Sequence, residues 1–284
     1  MSALVAGVSQ PRAVVVALHG GAVTSAYWDS RVAAGLSLLS AGAALGFTVI
    51  ALDRPGYGAS AAYTPTTQAG YGRHFGHADY IDRIATADGR VDLGYGAIDA
   101  LLAGRARGAG VFLLGHSMGC VLAVQMAADP RGADLLGLEI AGIGVRPHAG
   151  AGRGNLRDLL WTPARLYPDE AEAALALSAS PRYEGSDVRA LSDAFSSLAA
   201  RVRIPVRYTL GDHERVWSNG PTALADIAAL FTGSPRVVTA EQSAAGHNLS
   251  LGRSALAYHL SVLAFAEECA LSKECADRGN PDGG

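Results

Sequence analysis

The stretch Gly115-His116-Ser117-Met118-Gly119 matches the pattern glycine-x-serine-x-glycine. A short apolar run at residues 111–114 precedes it, and a helical pattern at residues 117–128 follows it. In that context a sharp turn from strand to helix lifts the serine hydroxyl clear of the sheet edge, and both flanking positions must be small because side chains there would collide with neighbouring backbone. The pattern therefore predicts that Ser117 is a nucleophile. The plainer alternative is a strand-to-helix turn without chemistry.

A serine hydroxyl is a weak nucleophile, so it needs a base within hydrogen-bond reach and a third group that orients the base. Of the 8 histidines, His247 is the best placed, since Gly246 precedes it in the loop between the last predicted strand and the last predicted helix. The orienting acid is expected after the fifth predicted strand. Asp212 and Glu214 both lie there, and either carboxylate can hold the imidazole tautomer. Glu139, on the fourth predicted strand, is a third candidate.

An oxyanion hole needs two backbone N–H groups that point at the developing negative charge. Met118, the residue after the nucleophile, is expected to supply one of them. The other is expected from the glycine turn at residues 19–22, directly after the first predicted strand. Gly21 is the expected donor in that turn, and Ala22 is the alternative.

The elements that position these residues are strands and helices in alternation. Six apolar runs read as strands, at residues 14–18, 47–52, 111–114, 135–140, 206–210 and 236–239. Helical patterns occur at residues 30–45, 93–103, 117–128, 222–230 and 254–269. Apolar strands that alternate with helices indicate a mostly parallel sheet covered on both faces.

Two connections exceed the usual length, and insertions of this kind are usually functional. The first, residues 61–89, carries several aromatic and histidine side chains: Tyr63, Tyr71, His74, Phe75, His77 and Tyr80. The second, residues 145–203, shows helical patterns near residues 168–178 and 186–200. Its large apolar side chains suit an acyl chain of medium length or simply pack the segment onto the core: Leu156, Leu159, Leu160, Trp161, Leu166, Leu175 and Leu177. We therefore predict a helical cap over residues 145–200.

The motifs occur in the order seen in the α/β-hydrolase superfamily: His19-Gly20-Gly21, the run Asp-Arg-Pro-Gly-Tyr-Gly-Ala-Ser at residues 53–60, residues 115–119, the acidic turn at residues 212–214 and Gly246-His247. Over residues 14–266 the chain resembles the esterase, lipase and thioesterase-like members that carry a lid. The resemblance implies an α/β-hydrolase fold, with a mostly parallel central sheet flanked by helices and a helical cap insertion. Members of the superfamily commonly place the acid at the position of Glu214, which favours Glu214 over Asp212.

The resemblance further implies a serine hydrolase that cleaves a carboxylic ester or thioester through an acyl-enzyme. The implied site residues are Ser117, His247 and Glu214 for catalysis, and Gly21 and Met118 for the oxyanion hole. No metal or organic cofactor is implied, and the expected partner is a small-molecule ester or thioester. The alternative, from a different class, is a non-hydrolytic lyase, cyclase or ligand receptor of the same fold that uses the same pocket.

The chain departs from other branches of the superfamily at two positions. Ser117 stands where dehalogenases and epoxide hydrolases carry an aspartate. Ala22 follows the two glycines, where one branch of lipases and esterases has a longer glycine run. The predicted organisation is a core of residues 1–144 and 201–270, the cap at residues 145–200 and a flexible tail at residues 271–284.

Composition excludes other classes of partner. Charged residues make up 17% of the 284 residues and the formal net charge is −3, so no basic surface for nucleic acid is expected. No apolar run approaches the roughly 18 residues that a membrane span needs, and the first residues lack a signal-peptide pattern, so we expect a cytoplasmic protein. The three cysteines, Cys120, Cys269 and Cys275, are expected as free thiols, with a bridge between the last two as the alternative. The oligomeric state is left open.

Overall fold

A seven-stranded sheet forms the centre of the computed structural model, which describes residues 1–61, 77–151, 155–175 and 177–279. The strands are β1 Ala3–Ala6, β2 Val14–Leu18, β3 Thr48–Leu52, β4 Val111–His116, β5 Gly137–Ala141, β6 Val206–Gly211 and β7 Val237–Gln242. Their order in the sheet is β1-β3-β2-β4-β5-β6-β7. β1 is antiparallel to β3, and every other neighbouring pair is parallel.

Helices lie on both faces of the sheet. Within the described residues they are α1 Leu38–Ala44, α2 His77–Ala85, α3 Ala87–Leu101, α4 Gly119–Ala128, α5 Leu156–Leu160, α6 Arg182–Ala199, α7 Pro221–Ala228 and α8 Ala255–Gly279. β2 shows why both faces are covered, since its five residues are all fully buried and alternate between two core clusters. Val14, Val16 and Leu18 pack with side chains of α3 and α4, whereas Val15 and Ala17 pack with side chains of α1 and α8.

The strand register determines which loops meet. Leu18, the last residue of β2, lies opposite Gly115 of β4, and His116 lies opposite Ala141 of β5. Because these strands are parallel, their carboxyl ends share one edge of the sheet. The glycine turn after β2 and the turn around Ser117 are therefore neighbours, although almost a hundred residues separate them in the chain.

The structure confirms the predicted α/β-hydrolase fold class and corrects several element boundaries. β1 was not predicted. The helix expected at residues 30–45 begins only at Leu38, because a 3-10 turn and irregular backbone occupy the residues before it. Residues 168–175 form turns rather than the expected helix. α8 continues to Gly279, so most of the tail expected from residue 271 is helical.

Two further expectations concern the insertion at residues 61–89 and the three cysteines. Most of the 61–89 insertion lies outside the described residues, and its described end forms α2 and the start of α3. The three cysteines are free, with Cys120 and Cys269 buried and Cys275 exposed, so the alternative bridge between Cys269 and Cys275 is not formed. No helix in the described part of the chain is both long and apolar enough to cross a membrane.

Candidate active site

The turn between β4 and α4 presents Ser117 at the carboxyl edge of the sheet. Ser117 has a φ of 50°, a left-handed conformation that is costly for a residue with a Cβ. Its backbone N–H donates to the carbonyl of Ala141, over 2.8 Å, which ties the turn to β5. A Cβ at Gly115 would lie 2.8 Å from the Cα of Cys120, and one at Gly119 would lie 2.2 Å from the carbonyl oxygen of Leu18. Both flanking positions therefore exclude any side chain, as the sequence pattern indicated.

Three side chains from separate loops form one hydrogen-bonded chain. His247 Nε2 lies 3.1 Å from Ser117 Oγ, and His247 Nδ1 lies 2.9 Å from Glu214 Oε2 and 3.2 Å from Oε1. His247 is 2% exposed and Glu214 is fully buried. Because an ionised carboxylate can only accept, Nδ1 carries the imidazole proton and Nε2 accepts from the serine hydroxyl. The structure thus brings together the serine, the histidine and one of the two acids that the sequence offered.

The buried carboxylate of Glu214 is held by backbone donors as well as by the histidine. Its Oε1 accepts from the N–H groups of Arg215, over 2.9 Å, and Val216, over 2.7 Å. Burial works against the charge, but the attraction of His247 and these hydrogen bonds outweigh burial and hold the pKa of Glu214 below its usual value. Glu214 therefore stays ionised and keeps the imidazole in the tautomer that accepts from Ser117.

Asp212 and Glu139, the other candidate acids, lie elsewhere. Asp212 accepts from the backbone N–H groups of Ala244 and Ala245, each over 3.0 Å, and its Oδ1 lies 2.7 Å from Nδ1 of its neighbour His213. It therefore shapes the loop that leads to His247 without contacting that imidazole. Glu139 is fully buried on β5, where it bonds to side chains of β6 and α8.

Two backbone N–H groups beside Ser117 are free to act as donors. A Cβ at Gly20 would lie 3.2 Å from the Cβ of Ser117, and one at Gly21 would lie 3.6 Å from Cγ of Met118, so the glycine turn packs against the serine turn. Within the described residues, neither Gly21 N–H nor Met118 N–H has a hydrogen-bond acceptor. The N–H of Ala22, the alternative donor, instead faces the hydroxyl of Tyr57 over 3.4 Å. The geometry thus favours Gly21 over Ala22.

His116 contacts the loop that carries His247, and the sequence did not indicate this contact. Its Nε2 lies 2.8 Å from the backbone carbonyl of His247, so it donates there and helps to hold the loop. Its ring stacks on Tyr27, with centroids 4.7 Å apart. Burial, followed by repulsion from His247, lowers the pKa of His116 to about 3, so this imidazole is neutral. In the sequence, His116 is marked only by its position inside the glycine motif, and that position does not predict a contact with the loop of His247.

The model of the alpha/beta hydrolase family matches residues 15–258, which include the turn after β2, the turn around Ser117 and the loops that carry Glu214 and His247. The chain belongs to the alpha/beta hydrolase family. No curated protein matches the chain.

Solved structures share the fold of this alpha/beta hydrolase at low sequence identity. A lipase in its open form is 19% identical, with a TM-score of 0.66 over 94% of this chain and 93% of that chain. A highly thermostable carboxyl esterase from Bacillus coagulans is 18% identical, with a TM-score of 0.62 over 94% of each chain. The thioesterase domain from the curacin biosynthetic pathway is 17% identical, with a TM-score of 0.53 over 92% of this chain and 94% of that chain.

The segment predicted as the cap of this alpha/beta hydrolase contacts the site. Tyr167 accepts from the backbone N–H of Asn248, next to His247, over 3.2 Å. Glu184, in the first turn of α6, forms a buried ion pair with Arg54 beside the glycine turn. Nothing in the sequence indicated this pair, because Arg54 lies in the turn motif at residues 53–60 and Glu184 lies 130 positions further along the chain.

No group of three or more histidine, cysteine, aspartate or glutamate side chains in the described part of the chain is arranged to hold a metal ion. The spacing of His74 and His77 resembles that of metal ligands, but His74 and the side chain of His77 lie outside the described residues.

Proposed function

We propose that this protein is a serine hydrolase that cleaves a carboxylic ester or thioester through an acyl-enzyme. The observation that carries the proposal is the hydrogen-bonded chain from Ser117 through His247 to Glu214, with distances of 3.1 Å and 2.9 Å. A serine, a histidine and a buried carboxylate in this arrangement are what nucleophilic acyl transfer requires. The N–H groups of Gly21 and Met118, which have no acceptor among the described residues, lie beside this chain and can bind an oxyanion.

In the acylation step, Ser117 Oγ attacks the carbonyl carbon while His247 Nε2 removes the hydroxyl proton. The carbonyl oxygen becomes negative, and the N–H groups of Gly21 and Met118 stabilise it. His247 then gives the proton to the leaving alcohol or thiol, and the bond to that group breaks. Glu214 stays ionised throughout and stabilises the imidazolium.

In the deacylation step, water takes the place of the leaving group. His247 removes a proton from the water as its oxygen attacks the acyl carbon, and a second oxyanion forms at the same two N–H groups. Collapse of this intermediate returns the proton to Ser117 and releases the carboxylic acid. No cofactor is needed for either step.

The choice of esters and thioesters rests on the chemistry of the triad and on the names of the similar structures. A lipase, a carboxyl esterase and a thioesterase domain share the fold. Two apolar side chains of the predicted cap pack the segment onto the core, since Leu166 is buried in one core cluster and Trp161 packs against the same cluster. We therefore propose no acyl-chain length from these residues, and the esters of the test cover short to medium chains.

The test uses Ser117→Ala with a panel of p-nitrophenyl esters of increasing chain length, an acyl thioester and a fluorophosphonate probe. We expect the wild type to turn over part of the panel and to be labelled by the probe. Removal of the nucleophile should abolish labelling and lower kcat by at least about 10⁴-fold. Ser250→Ala is the matched control, because Ser250 is fully buried in the loop that follows His247 but is not part of the hydrogen-bonded chain.

The outcomes are distinct. Full turnover or labelling in Ser117→Ala would contradict the proposal, as would loss of labelling in Ser250→Ala with Ser117 intact and the protein folded. A wild type that hydrolyses no member of the panel but binds a small molecule tightly would favour the lyase or receptor alternative instead.

A further inference from the structure

A buried ion pair joins the predicted cap to the turn that carries the oxyanion donor. Arg54 follows β3 and is 2% exposed, and Glu184 lies in the first turn of α6 and is 6% exposed. Arg54 Nη2 donates to Glu184 Oε1 over 2.5 Å. The other carboxylate oxygen of Glu184 accepts from the hydroxyl of Tyr57. A buried ion pair does not by itself stabilise a fold, because the cost of desolvation offsets most of the attraction between the charges. The position of this pair therefore suggests a role other than stability.

The guanidinium of Arg54 also binds the glycine turn directly. Arg54 Nη2 donates to the carbonyl oxygen of Gly20 over 2.9 Å. His19 Nε2 accepts from the backbone N–H of Arg54 over 3.0 Å, so the proton of this imidazole is on Nδ1, which donates to the same Gly20 carbonyl over 2.8 Å. Two donors, one of them cationic, therefore converge on a single carbonyl oxygen.

That carbonyl belongs to the peptide unit whose N–H is the N–H of Gly21. A trans peptide is planar, so its C=O and N–H point in opposite directions. Donors that fix the Gly20 carbonyl from one side therefore fix the direction of the Gly21 N–H on the other. A cation on the carbonyl also draws electron density from the amide, which makes the N–H a stronger donor.

We propose that Arg54 and Glu184 are positioning residues for the oxyanion hole, which orient and polarise the Gly20–Gly21 peptide for the oxyanion. The inference rests on the proposed function and adds to it a role for the cap in catalysis. Glu184 holds the guanidinium in place and balances its charge, so the neutral pair does not disturb the site before the oxyanion forms. Because Glu184 belongs to α6, the oxyanion hole is complete only when that helix is docked on the core.

A second ion pair provides a control for the simpler explanation that Arg54 and Glu184 only hold α6 on the core. Arg90 Nη2 donates to both carboxylate oxygens of Asp187, over 2.9 Å and 3.0 Å. This second pair joins α6 to α3 three residues after Glu184, and it makes no contact with the glycine turn. Weakening it disturbs the attachment of α6 but leaves the Gly20 carbonyl and its donors in place.

The experiment compares Glu184→Gln, Arg54→Gln/Glu184→Gln and Asp187→Asn in the full chain. The double variant removes both charges, so no unpaired charge stays buried, and thermal denaturation checks that each variant folds. Steady-state kinetics on the best p-nitrophenyl ester gives kcat and KM. The inhibition constant of a trifluoromethyl ketone with the same acyl chain reports the oxyanion hole, since Ser117 adds to the ketone and the resulting oxyanion occupies the site of the ester oxyanion.

We expect the double variant to lower kcat by about 10- to 30-fold, because outright removal of one oxyanion donor costs about 10²–10³-fold and this change only weakens a donor. The inhibition constant of the ketone should rise by the same factor, with KM changed by less than about 2-fold. Glu184→Gln should show a smaller loss of the same kind, and this single variant carries the test if the double variant does not fold. Asp187→Asn should leave kcat within about 2-fold, because its contacts are the same in the ground and transition states.

Equal losses of kcat in Asp187→Asn and Glu184→Gln would overturn the inference and show that docking of α6 is the whole effect. A loss confined to KM and thermal stability, with the ketone affinity unchanged relative to the substrate, would overturn it as well. Either result leaves the proposed function intact as long as the wild type turns over esters and Ser117→Ala does not. A wild type without ester or thioester turnover would overturn both.

Discussion

At the scale of single residues, the two carboxylates after β6 bond to different groups: Glu214 to the imidazole of His247, and Asp212 to the loop backbone. Substituting each in turn distinguishes their roles. Glu214→Gln places an amide beside His247 Nδ1, and the amide nitrogen can turn the imidazole into the wrong tautomer. We expect kcat on the best ester to fall by about 10⁴-fold, the loss seen when a triad acid is replaced by its amide. Asp212→Asn should keep kcat within about 3-fold, because Asp212 bonds to the backbone of the loop and not to the imidazole. Steady-state kinetics on both variants decides the assignment.

The pair of variants is its own control, since both remove one negative charge from the same short turn. A larger loss in Asp212→Asn than in Glu214→Gln would assign the acid to Asp212. Thermal denaturation separates this from a loop effect, because Asp212 accepts from Ala244 and Ala245 over 3.0 Å and its removal should loosen the loop before His247 without changing the chemistry.

What the sequence indicates at this scale depends on how local each signal is. The turn around Ser117 is a five-residue pattern, and the structure places that serine within 3.1 Å of the histidine chosen from the sequence. The choice between Asp212 and Glu214 was left to a resemblance, because it depends on backbone N–H groups that only the folded loop places around Glu214. The contact between Arg54 and Glu184 spans 130 positions, and no spacing or periodicity connects two residues so far apart.

At the scale of elements, a buried charged network joins β5, β6 and α8. Arg207 Nη1 donates to Glu139 Oε2 over 3.1 Å, Thr209 Oγ1 donates to Oε1 over 2.6 Å, and Arg207 Nη2 donates to Ser261 of α8 over 2.9 Å. Arg207→Met leaves the carboxylate of Glu139 fully buried without its cation. We expect the free energy of unfolding to fall by about 3–5 kcal/mol, measured by urea denaturation.

The double variant Glu139→Leu/Arg207→Met tests the cause. If the loss comes from an uncompensated charge rather than from lost packing, removal of both charges should restore most of the stability. A double variant as unstable as Arg207→Met would show instead that the packing of the arginine side chain, or its bond to Ser261, is what holds α8 to the sheet.

The sequence predicts elements well where burial is uniform. β2 to β6 are buried along their whole length and read as apolar runs. β1 was missed because it is a half-exposed edge strand of four residues whose partner, β3, lies more than 40 residues away. The end of α8 was missed for a related reason, because its polar sequence does not by itself predict a helix. Arg12, far away in the chain, pairs with Glu267 over 2.6 Å and also with Glu274, and these contacts hold the end of the helix.

At the scale of the whole molecule, the site is built by segments from most of the chain. The glycine turn at residues 19–22 follows β2, Ser117 follows β4, Glu214 follows β6 and His247 follows β7, and parallel strands bring these loops to one edge. The cap segment between β5 and β6 adds Tyr167 and Glu184. The low charged fraction of 17% fits this plan, because a sheet covered on both faces leaves few positions for charge.

Three buried histidines make the native state sensitive to acid. Burial, as the largest cause, lowers the pKa of His116 to about 3 and that of His259 to about 4, and it lowers the pKa of His19 well below its usual value. In the unfolded chain these imidazoles take up protons near their ordinary pKa of about 6.5. Between that pH and the native pKa values the unfolded state binds more protons, so the free energy of unfolding is at its full value above about pH 6.5 and falls as the pH decreases. The steepest slope is up to about 4 kcal/mol per pH unit for three groups.

Urea denaturation at pH 7, 6, 5 and 4.5 measures how the free energy of unfolding depends on pH. The variant His259→Leu removes the contribution of one of the three histidines, at a position away from the candidate site. His259 is fully buried on α8, and a leucine there fills similar space but takes up no proton in either state. We expect the variant to lose less stability than the wild type as the pH falls from 7 toward 4, with a difference that approaches about 3 kcal/mol, the value of a shift from about 6.5 to about 4. Equal slopes for the two proteins would contradict the assignment and show that His259 reaches water or a proton partner in the native state. A variant that loses stability faster than the wild type as the pH falls would show that the effect of His259 has the opposite sign.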